Sequence, residues 1–487
     1  MEVETSPTIE KLLNQVDKYA TDPELDLIER AYEFADEAHE GQTRMTGKKF
    51  IKHPLAVAQI LADMKMEPTM IAAALMHDVI EDTQFDFEDI EQEFNQEIAK
   101  LVEGDTKIGE LKYKGVERFV ENWRRLFVAM AGDVRTMIIK LADRVHNIQT
   151  IENHPKKKLY KRALESLEIY APIAGRLGIN QFKKEIENKA FPHVYPEKYE
   201  QTKELVENKL DEELGYFTHM KEEMRKELLR KTIELSSVEI YEKSLYEIYK
   251  ESQKQGRELK LYDFLALKVI VSSKAKCYDS LGIIHSSYTP LRERIKDYIS
   301  QPKANGYQAL HTTVFAEENK MVEFHIYSDK MEQIAKYGVA TYWSEGVDIE
   351  KTQANLEWAQ DIAREGIDIE GLEGLEQVKV DHLKTRIFVF TPQGEVINLP
   401  EGATPVDFAY EISSKLGNSC KKAIINTKKT SLDTKLKNGD VVKIITDEDQ
   451  TLPDKDWLDF VKTYKAKQEI ESAQQENNGW SGPGLFG

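Results

Sequence analysis

The decapeptide ALMHDVIEDT, residues 74–83, follows an apolar run and places one imidazole and three carboxylates close together. If the stretch is helical, His77 and Glu81 are four residues apart, as are Asp78 and Asp82, so all four crowd one edge of the helix end. Burying that much charge without a partner costs several kcal/mol per ion, and a divalent cation removes this cost. Histidine combined with carboxylates suits Mn, Fe or Zn.

Two residues elsewhere in the chain complete a metal-binding pattern. His53 lies in FIKHPLAVA, just before a predicted helix, and Asp143 lies in IIKLADRVHN, at the end of an apolar run. A His-Asp dipeptide alone predicts little. The order His…His-Asp…Asp, spread over separate helices of an all-helical region, resembles the HD superfamily of metal-dependent phosphohydrolases. That resemblance implies a bound divalent metal.

Five collinear segments narrow the resemblance to one family. They are GQTRMTGKKFIKHPLAVA, ALMHDVIEDT, VEGDTKIG, KLADRVHNIQT and YAPIAGRLG. Together they resemble the hydrolase domain of the RelA/SpoT homologue family, which makes and degrades the alarmones ppGpp and pppGpp. Later segments extend the resemblance to residues 25–465 or so. It implies removal of the 3′-pyrophosphate, which leaves GDP or GTP.

The resemblance assigns roles to residues of the hydrolase domain. The implied ligands of one Mn²⁺ are His53, His77, Asp78 and Asp143. Glu81 and Asp82 match the acidic pair that positions and activates water, a role in which a carboxylate accepts a proton. The positions that match the nucleotide-holding residues are Arg44, Asn147 and Thr150. For Lys140 and Arg144 we favour a helix-surface or structural ion-pair role.

Two positions of this domain depart from the family pattern. Met45 stands where a lysine is usual, and Gly175 stands where a histidine is usual. Neither position belongs to the metal ligands or the acidic pair. We therefore expect altered substrate affinity more than lost chemistry.

The segment RIKDYISQPKANGYQALHTTV resembles the synthetase core of the same family, which transfers the β,γ-pyrophosphate of ATP to GDP or GTP. Asp263 matches the Mg²⁺-binding aspartate, and Glu323 matches the acidic residue that assists metal binding and hydroxyl activation. The positions that match substrate-binding residues are Lys243, Lys296, Lys303, Asn305, Tyr307 and His311. Of these, Tyr307 is suited to stacking on guanine.

The synthetase pattern is eroded at other positions. Tyr241, Lys268 and Tyr327 replace arginines, Glu251 replaces a lysine, and Lys336 replaces a glutamate. His325 opens HIYS, where the family has Gln-Ile-Arg-Thr. Lysine does not substitute for arginine where a planar fork is needed, and each lost charged contact removes about 1.5–3 kcal/mol. We expect a weak or inactive synthetase; the rival hypothesis is an active one with a rearranged ATP site.

The segment from TRIFVF to VVKIIT resembles the TGS module of long family members, which contacts uncharged tRNA on stalled ribosomes. Both family histidines are absent, with Ser413 and Asn418 in their places. The resemblance therefore gives little support to ribosome or tRNA contact, and a folded remnant or a regulatory lid is favoured. The chain ends without the further domains of long members, so we expect a member shortened after this module.

Bulk properties agree with a cytoplasmic multidomain protein. The 487 residues suggest about three domains. The net charge of −19 disfavours broad nucleic-acid binding. No apolar run approaches the roughly 20 residues that span a membrane, and no secretory signal opens the chain. Cys277 and Cys420 fit a reducing compartment.

The predicted fold combines an all-α HD-type hydrolase domain, an α+β nucleotidyltransferase-like synthetase domain and a small β-grasp (TGS) domain. The predicted boundaries are 1–195 for the hydrolase domain, 196–237 for connecting, solvated helices, 238–344 for the synthetase domain, 345–381 for a linker, 382–447 for the TGS domain, and 448–487 for a tail that is disordered at its end.

Three functional hypotheses stay open at this point. The favoured one is an Mn²⁺-dependent alarmone hydrolase with a weak synthetase domain that uses Mg²⁺ if it is active. The second is a fully bifunctional enzyme that also uses ATP. The third is a catalytically silent alarmone-binding regulator. The sequence leaves the oligomeric state, the direction of flux and the regulatory signal open.

Overall fold

The chain is described here from a computed structural model. The structure describes residues 7–44, 47–109, 132–153, 155–255, 259, 261–303, 305–316, 320–344, 386–447 and 452–477. It divides into two compact units, the first holding the described residues up to position 344 and the second those from position 386 onward. The predicted linker, 345–381, and Met45 lie outside the described residues. No helix among the described residues is both long and apolar enough to cross a bilayer.

The N-terminal region of the first unit is helical throughout its described part, apart from a single β-bridge, as predicted. Its α-helices are α1 (Ile9–Val16), α2 (Asp22–Ala38), α3 (Lys52–Asp63), α4 (Pro68–Leu75), α5 (Val79–Asp82), α6 (Phe87–Glu93), α7 (Gln96–Gly109), α8 (Val134–Gln149), α9 (Lys156–Glu165), α10 (Ala171–Arg176) and α11 (Asn180–Val194). A 3-10 turn, Ile151–Asn153, and a π-helical turn, Ser166–Tyr170, flank α9. Helix α2 buries Ile28, Ala31 and Ala35, which share one face of the helix.

The stretch ALMHDVIEDT is not one continuous helix, so the predicted i,i+4 relation fails for His77 and Glu81. Asp78 and Asp82 keep it, because the amide of Asp82 donates to the carbonyl oxygen of Asp78 at 2.9 Å. Helix α4 ends at Leu75, α5 begins at Val79, and His77 and Asp78 lie in the turn between them. Nδ1 of His77 donates a hydrogen bond to the carbonyl oxygen of Ala74 at 2.8 Å. That carbonyl would accept the amide of Asp78 if the helix continued. The break turns both side chains toward other helices.

The predicted connecting segment is one long helix, α12 (Pro196–Arg230), followed by a strand that starts at Leu235. The prediction of a solvated connector is wrong for the C-terminal half of α12. Phe217, Met224 and Leu228 are buried in the core of the synthetase domain. Charged residues are so frequent in this helix that its apolar face is not evident from the sequence.

The synthetase domain is built around one mixed sheet. Its strands are β1 (Leu235–Glu242), β2 (Leu265–Val271), β3 (Thr289–Pro290), β4 (Lys296–Asp297), β5 (Leu310–Phe315) and β6 (Met321–Ser328). The strand order is β1-β2-β6-β5-β3, with β4 also paired to β5; β2 and β6 are parallel and the other pairs antiparallel. Its helices are α13 (Leu245–Gln255), α14 (Lys274–Ser287), α15 (Asp329–Tyr337) and α16 (Thr341–Ser344).

Direct contacts join the hydrolase and synthetase domains within the first unit. The amide of Val339 donates to the carbonyl of Leu177 at 2.9 Å, and Nδ2 of Asn180 donates to the carbonyl of Ala335 at 2.8 Å. Gly338 has a positive φ of 52°, and a Cβ atom there would lie 2.1 Å from the carbonyl oxygen of Leu177. Only glycine allows this close approach.

The second unit contains the hairpin β7 (Arg386–Phe390) and β8 (Val396–Pro400), and the sheet β10-β9-β11. The remaining elements are α17 (Pro405–Ile412), α18 (Ser414–Asn418), β9 (Cys420–Ile425), β10 (Lys428–Thr430), β11 (Val442–Thr446) and α19 (Tyr464–Asn477). A parallel bridge between Phe390 and Val441 connects the two sets of strands. This arrangement is the predicted small β-grasp module.

Residues 452–477 are folded, so the prediction of a tail from position 448 is wrong for this segment. The buried carboxylate of Asp407 accepts the amides of Lys462 and Thr463 at 2.8 and 2.7 Å. Ala466 and Ile470 of α19 then pack into an apolar cluster with α17. The polar composition concealed two apolar positions four residues apart, which form one helix face. The end of the tail, 478–487, lies outside the described residues.

Candidate functional site

Four predicted ligands converge in one cluster in the hydrolase domain. His53 comes from the first turn of α3, Asp143 from within α8, and His77 and Asp78 from the turn after α4. Nε2 of His53 lies 3.1 Å from Oδ1 of Asp143 and 3.7 Å from Oδ2 of Asp78. Nε2 of His77 lies 3.2 Å from Oδ1 of Asp78 and 3.8 Å from Oδ1 of Asp143. Two nitrogens and two carboxylates therefore face one another.

The imidazole of His77 is oriented as a metal ligand. Its Nδ1 donates to the carbonyl oxygen of Ala74, so Nε2 carries a lone pair. Among the described residues, this buried Nε2 has no hydrogen-bond partner. An unpaired buried polar atom is costly, and a backbone carbonyl bonded to the opposite ring nitrogen is typical of metal-bound histidine. The donor set fits a divalent cation that takes nitrogen and oxygen ligands.

A residue that the sequence analysis did not single out supports His53. Nδ1 of His146 lies 2.6 Å from Nδ1 of His53, and burial lowers the pKa of His146 to about 4, with Arg44 adding to the shift. His146 is therefore neutral near pH 7. It stands three residues after Asp143 in the same helix, and this i,i+3 spacing is the feature of the sequence that could have identified it.

The two carboxylates of the cluster differ electrostatically. Burial raises the pKa of Asp78, whereas the pKa of Asp143 lies well below its usual value because a hydrogen bond with His53 and the charge of Lys140 outweigh burial. Lys140 is buried, bonds Asp105 at 2.9 Å and lies 3.7 Å from Asp143. The structural ion-pair alternative for Lys140 fits the structure, and the helix-surface alternative does not.

The acidic pair Glu81 and Asp82 lies on α5 at the exposed rim of the cluster. The pKa of Glu81 is raised, first by partial desolvation and also by the charges of Asp78 and Asp82, against the opposing charge of Lys140. A raised pKa makes a carboxylate a stronger base. The backbone of Asp82 is held by Gln42, whose Nε2 donates to its carbonyl oxygen at 2.9 Å.

Two of the predicted nucleotide-holding residues connect directly to the cluster. Nη1 of Arg44 lies 3.5 Å from Oδ1 of Asn147, and the amide of Asn147 donates to Asp143. Thr150 caps the end of α8 and bonds back to the carbonyl of His146 at 3.0 Å. Asn147 and Thr150 thus continue the face of α8 that carries Asp143.

The second candidate site lies on one face of the synthetase sheet. Nζ of Lys243, just after β1, lies 3.5 Å from Oε2 of Glu323 on β6 and donates to the carbonyl of Tyr262 at 3.1 Å. Asp263 follows Tyr262 directly and is buried just before β2. Burial would raise the pKa of Glu323, but His325, Lys243 and Lys296 lower it to about 2. Such a carboxylate is a weak base.

The remaining predicted substrate residues surround Tyr307. Its hydroxyl lies 2.7 Å from Nε2 of His311, and Nζ of Lys303 lies 4.8 Å from its ring centroid. Lys296 pairs with His311 across β4 and β5. Asn305 instead faces the hydrolase domain in part, since its Nδ2 donates to the carbonyl of Gly175 at 3.2 Å. The structure thus brings the predicted set together around this sheet.

Comparison with known proteins agrees with the three predicted domains. Residues 31–180 match an HD domain, residues 241–345 match the region found in RelA/SpoT proteins, and residues 387–446 match a TGS domain. The guanosine-3′,5′-bis(diphosphate) 3′-pyrophosphohydrolase of Aquifex aeolicus is 40% identical over 96% of this chain and 67% of its own length. The chain belongs to the RelA/SpoT family.

Two further proteins are similar to this chain. The bifunctional (p)ppGpp synthase/hydrolase SpoT of Escherichia coli is 39% identical over 94% of this chain and 66% of its own length. A solved structure of a metazoan orthologue of SpoT is 21% identical, with a TM-score of 0.25, over 35% of this chain and 87% of its own length. The chain spans 58–67% of the length of curated relatives that it matches.

The replaced synthetase positions form local contacts in this RelA/SpoT chain. Lys268 bonds the buried Glu332 at 2.7 Å, and Lys336 bonds the same carboxylate at 2.6 Å. The hydroxyl of Tyr327 lies 2.7 Å from that of Tyr307. The ammonium of Lys184 lies over the ring of Tyr241, 5.0 Å from the ring centroid. These side chains therefore contact other groups of the protein.

The replaced TGS positions also have local roles. Oδ1 of Asn418 accepts a hydrogen bond from the buried Tyr410 at 2.8 Å, and Oγ of Ser413 accepts the amide of Leu416 at the start of α18. Both side chains thus form hydrogen bonds within the module at the positions where the resemblance predicts histidines.

Proposed function

We propose that this chain hydrolyses the 3′-pyrophosphate of ppGpp and pppGpp with the help of a divalent cation, Mn²⁺ being preferred. The observation that carries the proposal is the convergence of His53, His77, Asp78 and Asp143, in which the buried Nε2 of His77 has no hydrogen-bond partner among the described residues. A cation held by these four groups would acidify a water molecule and polarise the scissile phosphate. The substrate is proposed from the family, because its named members act on these nucleotides.

The rim residues account for proton transfer and substrate orientation. Glu81, with its raised pKa, accepts the proton of the attacking water, and Asp82 orients that water from the same short helix. The guanidinium of Arg44 lies next to the carboxylates and offsets the charge of the phosphates. Asn147 and Thr150 hold the nucleoside against α8. Pyrophosphate leaves, and GDP or GTP remains.

We infer that the synthetase domain has weak activity. Glu323 is paired with Lys243 and has a low pKa, so it is poorly suited to activating a hydroxyl. The hydroxyl of Tyr307 is bonded to Tyr327, in the position of a family arginine. The second candidate, a bifunctional enzyme using Mg²⁺ and ATP, is favoured by the retained Asp263, Glu323 and Lys243, of which the last two lie 3.5 Å apart.

One experiment separates these functions. Purified protein is incubated with ppGpp and Mn²⁺, with and without EDTA, beside the Asp78→Ala variant, and GDP and pyrophosphate are measured. We expect turnover that disappears with EDTA and in the variant. Separately, multiple turnovers of ATP and GDP to ppGpp would establish the bifunctional enzyme. A folded protein that lacks metal by elemental analysis and shows neither activity would support the silent regulator.

We further propose that the protein acts in the cytoplasm and that tRNA and ribosomes are not its regulators. Both cysteines, Cys277 and Cys420, are buried as free thiols. Asn418 and Ser413 stabilise the TGS module in place of the family histidines. Co-sedimentation with ribosomes in the presence of uncharged tRNA would contradict the second part of this proposal.

A further inference from the structure

Two histidines lie side by side on neighbouring strands of the synthetase sheet. Strands β5 and β6 are antiparallel, and their register places His311 directly opposite His325. Glu323 lies two residues before His325 in β6, and residues two apart in a strand project from the same face. The rings of the two histidines are stacked, with centroids 3.9 Å apart and planes inclined by 19°. Two imidazoles and one carboxylate therefore share one surface.

The distances in this cluster are close to those of a metal site. Oε1 of Glu323 lies 3.5 Å from Nε2 of His325 and 3.8 Å from Nδ1 of His311, and a ligand atom from each residue lies within 4.8 Å of the others. Ligand atoms around a tetrahedral ion with bonds of about 2.0–2.1 Å are roughly 3.4 Å apart. Rotation of the stacked rings about their side-chain bonds would direct both nitrogens at a common ion.

Neighbouring hydrogen bonds leave Nδ1 of His311 and Oε1 of Glu323 available as metal ligands. Nε2 of His311 and the hydroxyls of Tyr307 and Tyr327 form a chain with steps of 2.7 Å. When Nε2 donates to Tyr307 and Tyr307 donates to Tyr327, Nδ1 of His311 carries a lone pair. Lys243 lies beside Oε2 of Glu323, so Oε1 stays directed at the histidines.

We propose that His311, Glu323 and His325 form a second metal site, specific for an imidazole-preferring ion such as Zn²⁺. Magnesium prefers oxygen ligands and keeps its waters, whereas zinc accepts two histidines and one carboxylate. The family glutamine at position 325 would not complete such a site. Three protein ligands leave a fourth position for water or a phosphate oxygen. An ion there occupies Glu323 and competes with its use in synthesis.

The test isolates this site in the full-length chain. The hydrolase cluster is removed by His77→Ala and Asp78→Ala, and Zn²⁺ binding is measured by competition with a chromophoric chelator. We expect one Zn²⁺ per chain. Adding His325→Gln, which restores the family residue, should weaken binding by at least about 10–100-fold, the loss that even outer partners of metal ligands cause.

A matched control is His285→Gln. His285 lies on α14 and bonds the hydroxyl of Thr312 at 2.9 Å, away from the cluster. Its substitution should leave zinc affinity unchanged. Absence of Zn²⁺ binding in the background variant, or equal affinity after His325→Gln, overturns the proposal.

A measurement on the unsubstituted chain guards against misfolding of the variants. Crystals soaked in Zn²⁺ should show anomalous density about 2.0–2.1 Å from both histidine nitrogens. Density at the hydrolase cluster alone would also overturn the second site. The result does not depend on alarmone hydrolysis, so failure of the proposed activity and failure of this site are distinguishable.

Discussion

Replacing His146 tests how His53 is prepared for metal binding. Nε2 of His53 faces the carboxylates of Asp78 and Asp143, so ligation requires that the ring proton sits on Nδ1. The only acceptor recorded for Nδ1 among the described residues is Nδ1 of His146, 2.6 Å away. In His146→Leu that proton would be buried without a partner.

The expected size of this effect follows from two independent estimates. Leaving a buried donor unsatisfied costs about 1–3 kcal/mol. Loss of an outer partner of a ligating histidine lowers metal affinity by about 10–100-fold, which equals about 1.4–2.8 kcal/mol. We therefore expect the Kd for Mn²⁺ to rise by about 10–100-fold in His146→Leu.

The assay is calorimetric titration of metal-free protein with Mn²⁺, with thermal unfolding as the check that the variant is folded. His146→Gln is the matched control, because its side-chain carbonyl can accept the proton of His53, and it should retain most of the affinity. An unchanged Kd for Mn²⁺ in a folded His146→Leu protein would refute the proposed role of His146.

Three further predictions concern stability. Asp105→Asn should lower the free energy of unfolding by about 3–5 kcal/mol, measured in urea, because it removes the shorter of the two ion pairs that the buried Lys140 forms with described residues. Glu332→Gln should destabilise the protein more at pH 7 than at pH 3.5. Burial would raise the pKa of Glu332, but its two lysine partners lower it, so its contribution is present above the unfolded pKa and fades as the pH falls. Gly338→Ala should lower the melting temperature, because its backbone angles, φ 52° and ψ −130°, are sparsely populated by residues other than glycine, at a cost of about 1–3 kcal/mol, and because its Cβ would overlap Leu177.

Each of these predictions has a control and a contradicting outcome. Glu93→Gln breaks the exposed pair with Arg30 and should cost at most about 1 kcal/mol; an equal loss in Asp105→Asn would mean that burial of its pair is unimportant. A pH-independent effect of Glu332→Gln would show that its charge contributes nothing. Gly282→Ala, on a helix with open space around it, should be neutral or stabilising. An unchanged melting temperature in Gly338→Ala would show that the contact between the domains can relax.

Much of the candidate hydrolase site could be predicted from the sequence. The ligand types His, His-Asp and Asp each stand in a recognisable local segment, and apolar spacing indicates the helices that carry them. Local patterns of this kind report which face of an element is buried.

Tertiary contacts decided the rest, because they join residues far apart in the chain. The sequence indicates a helix through His77, but the bond to Ala74 ends it and fixes which imidazole nitrogen is free. The approach of His146 to His53, over 93 positions, has no local signature beyond its spacing from Asp143. The sequence shows that Tyr327 replaces an arginine. Only the folded domain shows that its hydroxyl meets that of Tyr307, since the pairing of β5 with β6 brings the segment before β5 next to Tyr327.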